Sequence, residues 1–457
     1  MTSFEIKSTL GIAFIYMLRM LGLFIVLPIM SVYLSGLGNE TSTFLIGLTF
    51  GIYGLTQAIF QIPFGILSDR FGRKRIIIVG LLIFFMGSIV VFLSKSLIMI
   101  ALGRALQGAG AISAVLLALL ADLTTDNART KSMAIIGASI GITFGISIIL
   151  SPILNNYFGF QNIFLLIAIL SIIAMAVVIF YIPSPVKFLK KEKINYPVKK
   201  IIFDKIFLKL DYGIFALHAS QIIMFMMIPL MLNELGYPIK YHWQIYLPVF
   251  VLSMLAIIPM VILSSKKNML KSFFLLSVLT LIFVQYLFMN WSNSKQAIMV
   301  ILLIYFVAFN FLEATLPSLI SRLSPKNVKG LVLGAYNTSQ SAGIFVGGVF
   351  GGFIASQFSD QAIFILSGIL LTAWFILMIR FIFPSSKNDM VIKLKPEFFE
   401  QSNKTINLIF NKIQSLDFVD EALIFANESY IIIKLKHNEK FNNKKVIKIL
   451  GEKNAIN

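Results

Sequence analysis

The 457-residue chain has no cysteine, which excludes disulfides and cysteine-ligated metals. Histidine is nearly absent: only His218, His242 and His437 occur, widely scattered, and His437 alone makes no metal site. No metal or other cofactor is expected. Charged residues make up 13% of the chain and hydrophobic ones 58%, a balance that no single soluble domain of this length can carry. The N-terminal apolar run follows Lys7 and continues to about Leu34 with no small-residue cleavage site. It is therefore longer than a secretory h-region and reads as a retained membrane helix. The long apolar runs also lack period-two alternation, which excludes a β-barrel.

What is present is a series of apolar runs, each about 20 residues or longer and able to cross about 30 Å of hydrocarbon as a helix. Twelve are expected, at about 8–34, 44–68, 75–94, 97–121, 132–155, 161–182, 207–233, 243–264, 269–291, 296–320, 330–356 and 361–383. The net charge of +19 would point a soluble protein toward nucleic acid. Here the charge follows the loops, so the lipid bilayer, not nucleic acid, is the expected partner. Alternate connections hold Arg70, Arg73, Lys74 and Arg75, then Arg129 and Lys131, a run from Lys187 to Lys209, then Lys266, Lys267 and Lys271, then Arg322, Lys326 and Lys329. The other connections hold only Lys95, Lys240 and Lys295. That asymmetry puts both termini and the long middle loop in the cytoplasm. The middle loop, with Pro183, Pro185, Pro197 and clustered lysines, reads as a solvated linker touching anionic lipid.

After Pro384 the composition turns charged and amphipathic. Strands are expected at about 390–395, 421–426 and 430–436, the last two around Asn427-Glu428-Ser429, and helices at about 397–415 and 442–450. This order indicates a small ferredoxin-like α+β domain lacking the cysteine pair of metal-binding versions. The expected organisation is 1–183 as a six-helix half, 184–206 as a cytoplasmic linker, 207–384 as a second six-helix half and 388–457 as the tail domain.

The most informative stretch is Gly65-Ile-Leu-Ser-Asp69-Arg70-Phe-Gly72-Arg73-Lys74-Arg75, which holds four positive charges in six residues at the end of the second run. Gly72 permits a tight turn, and Gly65, one helical turn before Asp69, lets another backbone approach closely. Taken alone, the charges also fit a simple positive-inside anchor. The whole pattern resembles the signature loop between helices 2 and 3 of the major facilitator superfamily of transporters. The resemblance extends over Arg19-Met-Leu-Gly-Leu-Phe-Ile-Val-Leu-Pro28, Gly51-Ile-Tyr-Gly-Leu-Thr-Gln57, Gly103-Arg-Ala-Leu-Gln-Gly108 and Phe306-Val-Ala-Phe-Asn310 with Glu313. It implies an all-α fold of twelve transmembrane helices in two halves around a central cavity, with kinship to drug:proton antiporters. A repeat at an offset of 200 fits two parallel halves: Leu123 matches Leu323, Asn127 matches Asn327, Phe158 matches Phe358 and Gln161 matches Gln361.

Several residues then acquire expected roles. Asp122 meets the Arg73 side of the loop, and Asp69 faces the N-terminal end of span 11 near Gly330, where the helix dipole favours an anion. Arg104 and Gln107 match a second family motif associated with proton coupling; the alternative is that Arg104 supports the carbonyls of a broken neighbouring helix. Gly137, Gly141 and Gly145 form a close-packing face on span 5. They match the antiporter motif only in part, because Ile142 replaces its Pro and Phe144 interrupts a Gly pair. The same Gly137-Ala-Ser-Ile-Gly141 string fits a hydrolase elbow, but its serine lies in a membrane helix, so no enzyme is expected. Arg19 and Glu313 lie at depths of ~16 and ~14 Å by helical rise and are expected to approach each other across the halves, as a coupling or a static pair. Gln57, Gln61, Gln107, Gln221, Asn310, Asn337 and Gln340 are polar candidates for the cavity wall, with Phe and Met supplying apolar lining.

The expected function is a proton-coupled antiporter of the bacterial inner membrane that exports a small hydrophobic compound by alternating access. The alternatives are an uptake symporter, or a transceptor signalling through its tail. The tail either self-associates, binds a regulatory ligand, gates opening, or is a solvated appendage.

Overall fold

The computed structural model describes the chain apart from residues 39–41, 184–202, 267–268, 325–328, 382, 384–388, 395–397, 399–402, 426–429, 436–441, 451–454 and 457. Most of the expected linker, the Asn427–Ser429 turn and His437 lie outside the described residues. The described residues form two units, Met1–Ile262 with Ser272–Ile382, and Leu263–Lys271 with Phe383–Asn457.

The first unit is a helical bundle with 12 candidate membrane spans among the described residues. Spans 1 to 6 are Ser3–Ser35, Thr43–Phe71, Arg73–Leu93, Leu97–Leu123, Lys131–Phe158 and Phe160–Tyr181. Spans 7 to 12 are Lys205–Glu234, Ile239–Ser264, Leu270–Asn290, Lys295–Ser321, Gly330–Gln357 and Ala362–Ile379. Their starts follow local chemistry. Thr2 and Glu5 form a capping box at span 1, and Ser42, Asp204 and Ser294 accept from the first-turn amides of spans 2, 7 and 10. Gly72, with φ +95°, closes one helix and opens the next in a single residue.

Two spans are interrupted. Span 1 breaks between Phe24 and Leu27, where Pro28 enters the new first turn and provides no amide. Span 4 breaks after Ala109 and resumes at Ser113, with the Ile112 amide donating to the Gly110 carbonyl at 3.0 Å.

The spans meet most tightly where glycines remove the side chain. A Cβ on Gly47 of span 2 would stand 2.2 Å from the Gly348 carbonyl oxygen of span 11, and one on Gly54 would stand 2.5 Å from that of Ser341. Phe44 and Phe353 continue this seam with ring centroids 6.4 Å apart. Span 7 joins span 11 in the same way, through Gly343 on the Phe215 carbonyl and Gly347 on that of Ala219.

Toward the end that carries the Gly65–Arg75 loop, the basic end, these contacts stop. Gly65 and Gly330 would meet nothing within 4 Å of an added Cβ, and the same holds for Gly334, Gly137 and Gly141. The expectations that Gly65 admits a neighbouring backbone and that Gly137 and Gly141 pack closely are therefore corrected. Only Gly145, deeper in span 5, packs as expected, against the ring of Phe250. The physical reason is position: these glycines lie toward the basic end, where an added Cβ meets open space, whereas the close approaches of span 11 to spans 2 and 7 lie farther along, at Gly47, Gly54, Gly343 and Gly347.

The second unit carries strands β1 (Asp389–Leu394), β2 (Val419–Phe425), β3 (Tyr430–Leu435) and β4 (Ala455–Ile456) in the order β2-β3-β1-β4, all neighbours antiparallel. Its helices Asn403–Gln414 and Asn443–Leu450 contribute Ile413, Val446 and Leu450 to a core with Ile392, Leu394 and Ile433. The two-residue β4 was not expected, being too short for an alternation pattern to register.

Candidate functional site

The basic loop is held by Arg73. Its Nε donates to Asp122 Oδ2 at 3.1 Å, Nη1 donates to Ser68 Oγ at 2.5 Å, and Nη2 pairs with Asp69. Asp122 thus sits where the sequence predicts. Asp69 does not: its side chain is 65% exposed and its described partner is Arg73, not the start of span 11. Gly65 and Gly330, the expected neighbours of that contact, both face open space here. Lys74, read only as loop charge, donates to the carbonyls of Ile179 at 3.3 Å and Ile182 at 2.9 Å, capping the end of span 6.

Within the first half, the Arg104 guanidinium lies 4.6 Å from the Tyr53 ring centroid and donates to Gln107 Oε1 at 2.8 Å. Gln107 donates in turn to Ser88 Oγ at 2.8 Å. This buried chain locks spans 2, 3 and 4 together. The broken helix is served instead by span 1: Arg19 Nη1 donates to Ser113 Oγ, and the Tyr16 hydroxyl donates to the Ser113 carbonyl at 2.9 Å. Arg19 is 2% exposed, and its Nε and Nη2 have no partner. The expectation that Arg19 approaches Glu313 is therefore corrected, because the interruption of span 4 supplies the acceptor that Arg19 takes.

Glu313 finds a different partner. Its Oε2 lies 3.2 Å from Nε2 of His218 on span 7, and the same nitrogen lies 2.7 Å from Nε2 of Gln340 on span 11. His218 is 4% exposed and the Glu313 side chain 33% exposed, so the acid keeps an open side while the imidazole is enclosed. One imidazole nitrogen cannot donate to Glu313 and accept from Gln340 at once. Either the Gln340 amide donates to a bare Nε2 while Glu313 holds a proton, or Nε2–H donates to ionised Glu313 and Gln340 turns its carbonyl inward. The trio can hold one proton at two addresses. Sequence reading placed His218 on span 7 but gave it no role; a polar ring inside an otherwise apolar run was the available signal.

Beside this cluster stands an apolar cap. Phe144 of span 5 meets Phe24 at 5.0 Å, Phe225 at 6.1 Å, Phe306 at 5.8 Å and Phe309 at 6.3 Å between centroids, and Phe309 meets the His218 ring at 6.1 Å. Aromatic rings from spans 1, 5, 7 and 10 therefore close the region next to the polar trio. Of the other polar candidates, Asn310 donates to Ser253 Oγ at 3.3 Å, while Gln57 and Gln61 are buried with Gln57 Oε1 and both Gln61 amide atoms unpartnered.

The profile of the family described as Major Facilitator Superfamily matches residues 12–348 and 271–415. The "Inner membrane transport protein YajR" of Escherichia coli (strain K12) is 41% identical over 377 residues, covering 82% of this chain and 83% of that protein. An "Uncharacterized transporter" of Buchnera aphidicola subsp. Schizaphis graminum (strain Sg) is 42% identical over 383 residues, covering 82% of this chain and 97% of that one. Among solved structures, the "D-xylose-proton symporter" superposes with a TM-score of 0.68 at 15% identity, covering 84% of this chain and 99% of that chain, a likeness of fold.

Proposed function

The chain belongs to the major facilitator superfamily and is a multi-pass membrane transporter rather than an enzyme; from that premise we propose that it is a proton-coupled antiporter exporting a small hydrophobic compound. The observation that carries this reading is the His218–Glu313–Gln340 cluster, an acid whose described counter-group is a titratable imidazole rather than a permanent cation. A static Arg–Glu pair would bind no proton near neutrality; a Glu–His pair exchanges one. The adjoining aromatic cap favours an apolar substrate.

In this reading the basic end is cytoplasmic, the membrane is the bacterial inner membrane, and both termini are cytoplasmic. Asp69, Arg70, Arg73, Lys74, Arg75 and Asp122 form the switch that engages span 11 when the basic end closes, with Gly65 and Gly72 giving the loop its path. Gly137 and Gly141 then become contact surfaces. The tail is a ferredoxin-like module that self-associates or takes a regulatory ligand. Protonating an acid whose pKa differs by about two units between states moves the equilibrium by ~2.7 kcal/mol, whereas a swing from 1:99 to 99:1 needs about 5.5 kcal/mol. Substrate, or a potential of about 2.3 kcal/mol per charge per 100 mV, supplies the rest.

The test uses purified full-length protein in liposomes with an imposed pH gradient and an internal pH dye, against lipophilic cations and neutral drugs. Substrate-dependent proton release that disappears in Glu313→Gln supports antiport. Proton movement in the same direction as substrate turns the reading to a symporter, and compounds that bind without moving protons turn it to a transceptor.

A further inference from the structure

Span 7 carries a second buried acid that the transport reading does not use. Asp211 is 6% exposed, and its Oδ1 is enclosed with no hydrogen-bond partner. It precedes His218 by seven residues, two helical turns or ~10 Å along the same face. That face runs along span 11, as the close approaches of Gly343 to Phe215 and of Gly347 to Ala219 establish. Span 11 answers with Tyr336, 4% exposed, whose hydroxyl is also enclosed without a partner. Tyr336 precedes Gln340 by one turn, ~6 Å. Gln340 in turn meets His218, the partner of Glu313, so Tyr336 stands one turn from the Glu313 cluster. Two unsatisfied polar groups on facing helices are costly unless used.

We propose that Asp211 and Tyr336 form a second proton-holding station on the seam between spans 7 and 11, coupled to Glu313 through the Tyr336 phenol. This inference rests on Glu313 being the coupling acid. A phenol has one hydrogen to donate. Tyr336 donates it to whichever of the two carboxylates is ionised, so ionising one acid withdraws the donor from the other. The groups facing this pair are few. Glu313 meets His218 on span 7, which in turn meets Gln340 on span 11, while the Tyr305 hydroxyl on its own span lies 3.5 Å from Ser220 Oγ. Asp211 lies on the side of span 7 that packs along span 11; on its own helix, Tyr212 donates to the Leu370 carbonyl at 3.2 Å, and among the described residues no ion pair joins Lys209 to it. Span 12 brings the Trp374 indole against Gly213. Among the described residues no cation pairs with Asp211, and an uncompensated carboxylate is costly in a membrane span, so this station exchanges a proton and is not a fixed ion pair.

The test is infrared difference titration of the full-length protein in lipid, with no substrate present. Glu313→Gln and Asp211→Asn identify the two protonated-carboxyl signals by their loss. In wild type each signal follows two steps about one pH unit or more apart, because the steps belong to the coupled pair. Asp211→Asn removes one step from the Glu313 curve, and Tyr336→Phe keeps both signals but makes each follow a single step. If Asp211→Asn leaves the Glu313 curve as in wild type, the station is overturned while Glu313 stands. If Glu313→Gln removes no signal, both readings fall. Replacing sodium by choline leaves all curves unchanged; a sodium-dependent Asp211 signal overturns the proton assignment in favour of a metal cation.

Discussion

Alanine at Gly47 inserts one methyl group into the sealed seam between spans 2 and 11. The added carbon stands 2.2 Å from the Gly348 carbonyl oxygen and 2.8 Å from the Gly352 Cα. Both are backbone, so no side chain can rotate away, and the two helices must part locally by roughly 1 Å to restore ordinary packing. Overpacking of this kind costs about 1–3 kcal/mol, which displaces a two-state equilibrium about 5- to 150-fold. The penalty falls only on the conformer sealed at this end, so the population moves toward the one in which the basic end closes. The absence of cysteine gives a clean reporter: Gly334→Cys introduces the sole thiol at a position where a Cβ meets nothing within 4 Å. Alkylation of that thiol by a charged maleimide is expected to slow severalfold when Gly47→Ala is added. Gly65→Ala, equally open at its Cβ, leaves the rate unchanged. A folded Gly47→Ala protein that is alkylated as fast as its Gly334→Cys parent would refute the claim that this seam holds the end shut.

Removing Arg104 by an Ala substitution leaves the Gln107 carbonyl without its donor and the Tyr53 face without its cation. A loss of about 2–4 kcal/mol is expected, read as a lower thermal unfolding midpoint in detergent. Lys74→Met withdraws the donor from the Ile179 and Ile182 carbonyls, with an expected cost of about 1 kcal/mol in the same assay. Asp69→Asn, at a side chain 65% exposed, leaves the midpoint within about 0.5 kcal/mol of wild type yet lowers substrate flux in liposomes. Stability and flux falling together would make Asp69 structural rather than part of the switch.

The bundle was legible because hydrocarbon imposes long apolar runs and expels charge from them; the span starting at Thr43, for example, was expected at 44. Span 1 begins at Ser3 rather than at 8: Lys7 interrupts the apolar run, but the Thr2–Glu5 capping box starts the helix before it. Charges within spans were legible as candidates, but their partners were not. Arg19 and Glu313 share a depth, yet partner choice depends on where a neighbouring helix breaks, and the interruption at Gly110 gives no strong signal in an apolar run. Asp211 carries no signal in the sequence because it lies near the expected start of its span, where a charge has a ready explanation as a loop residue. Gly65 on span 2 and the three glycines of span 5 were legible as packing positions, whereas Gly47 and Gly54, which make the close seam with span 11, were not, because sequence does not say which faces are in contact in a given conformer.

The clasp at the chain's beginning has a consequence for how the protein is made. Glu5 accepts from the Thr125 amide at 2.9 Å and from its hydroxyl at 2.7 Å, across 120 residues of sequence. A ribosome adding about 5–20 residues per second needs roughly 6–24 s to travel from one partner to the other. Throughout that interval spans 2, 3 and 4 enter the membrane while the first helix lacks its anchor. Glu5 holds only the Thr2 amide until then. The Glu5 end of this helix, unlike the Tyr16 and Arg19 stretch that Ser113 already holds, is thus clasped only when the connection into span 5 emerges, and nascent chains arrested before residue 125 should leave that end open to proteolysis where longer ones protect it.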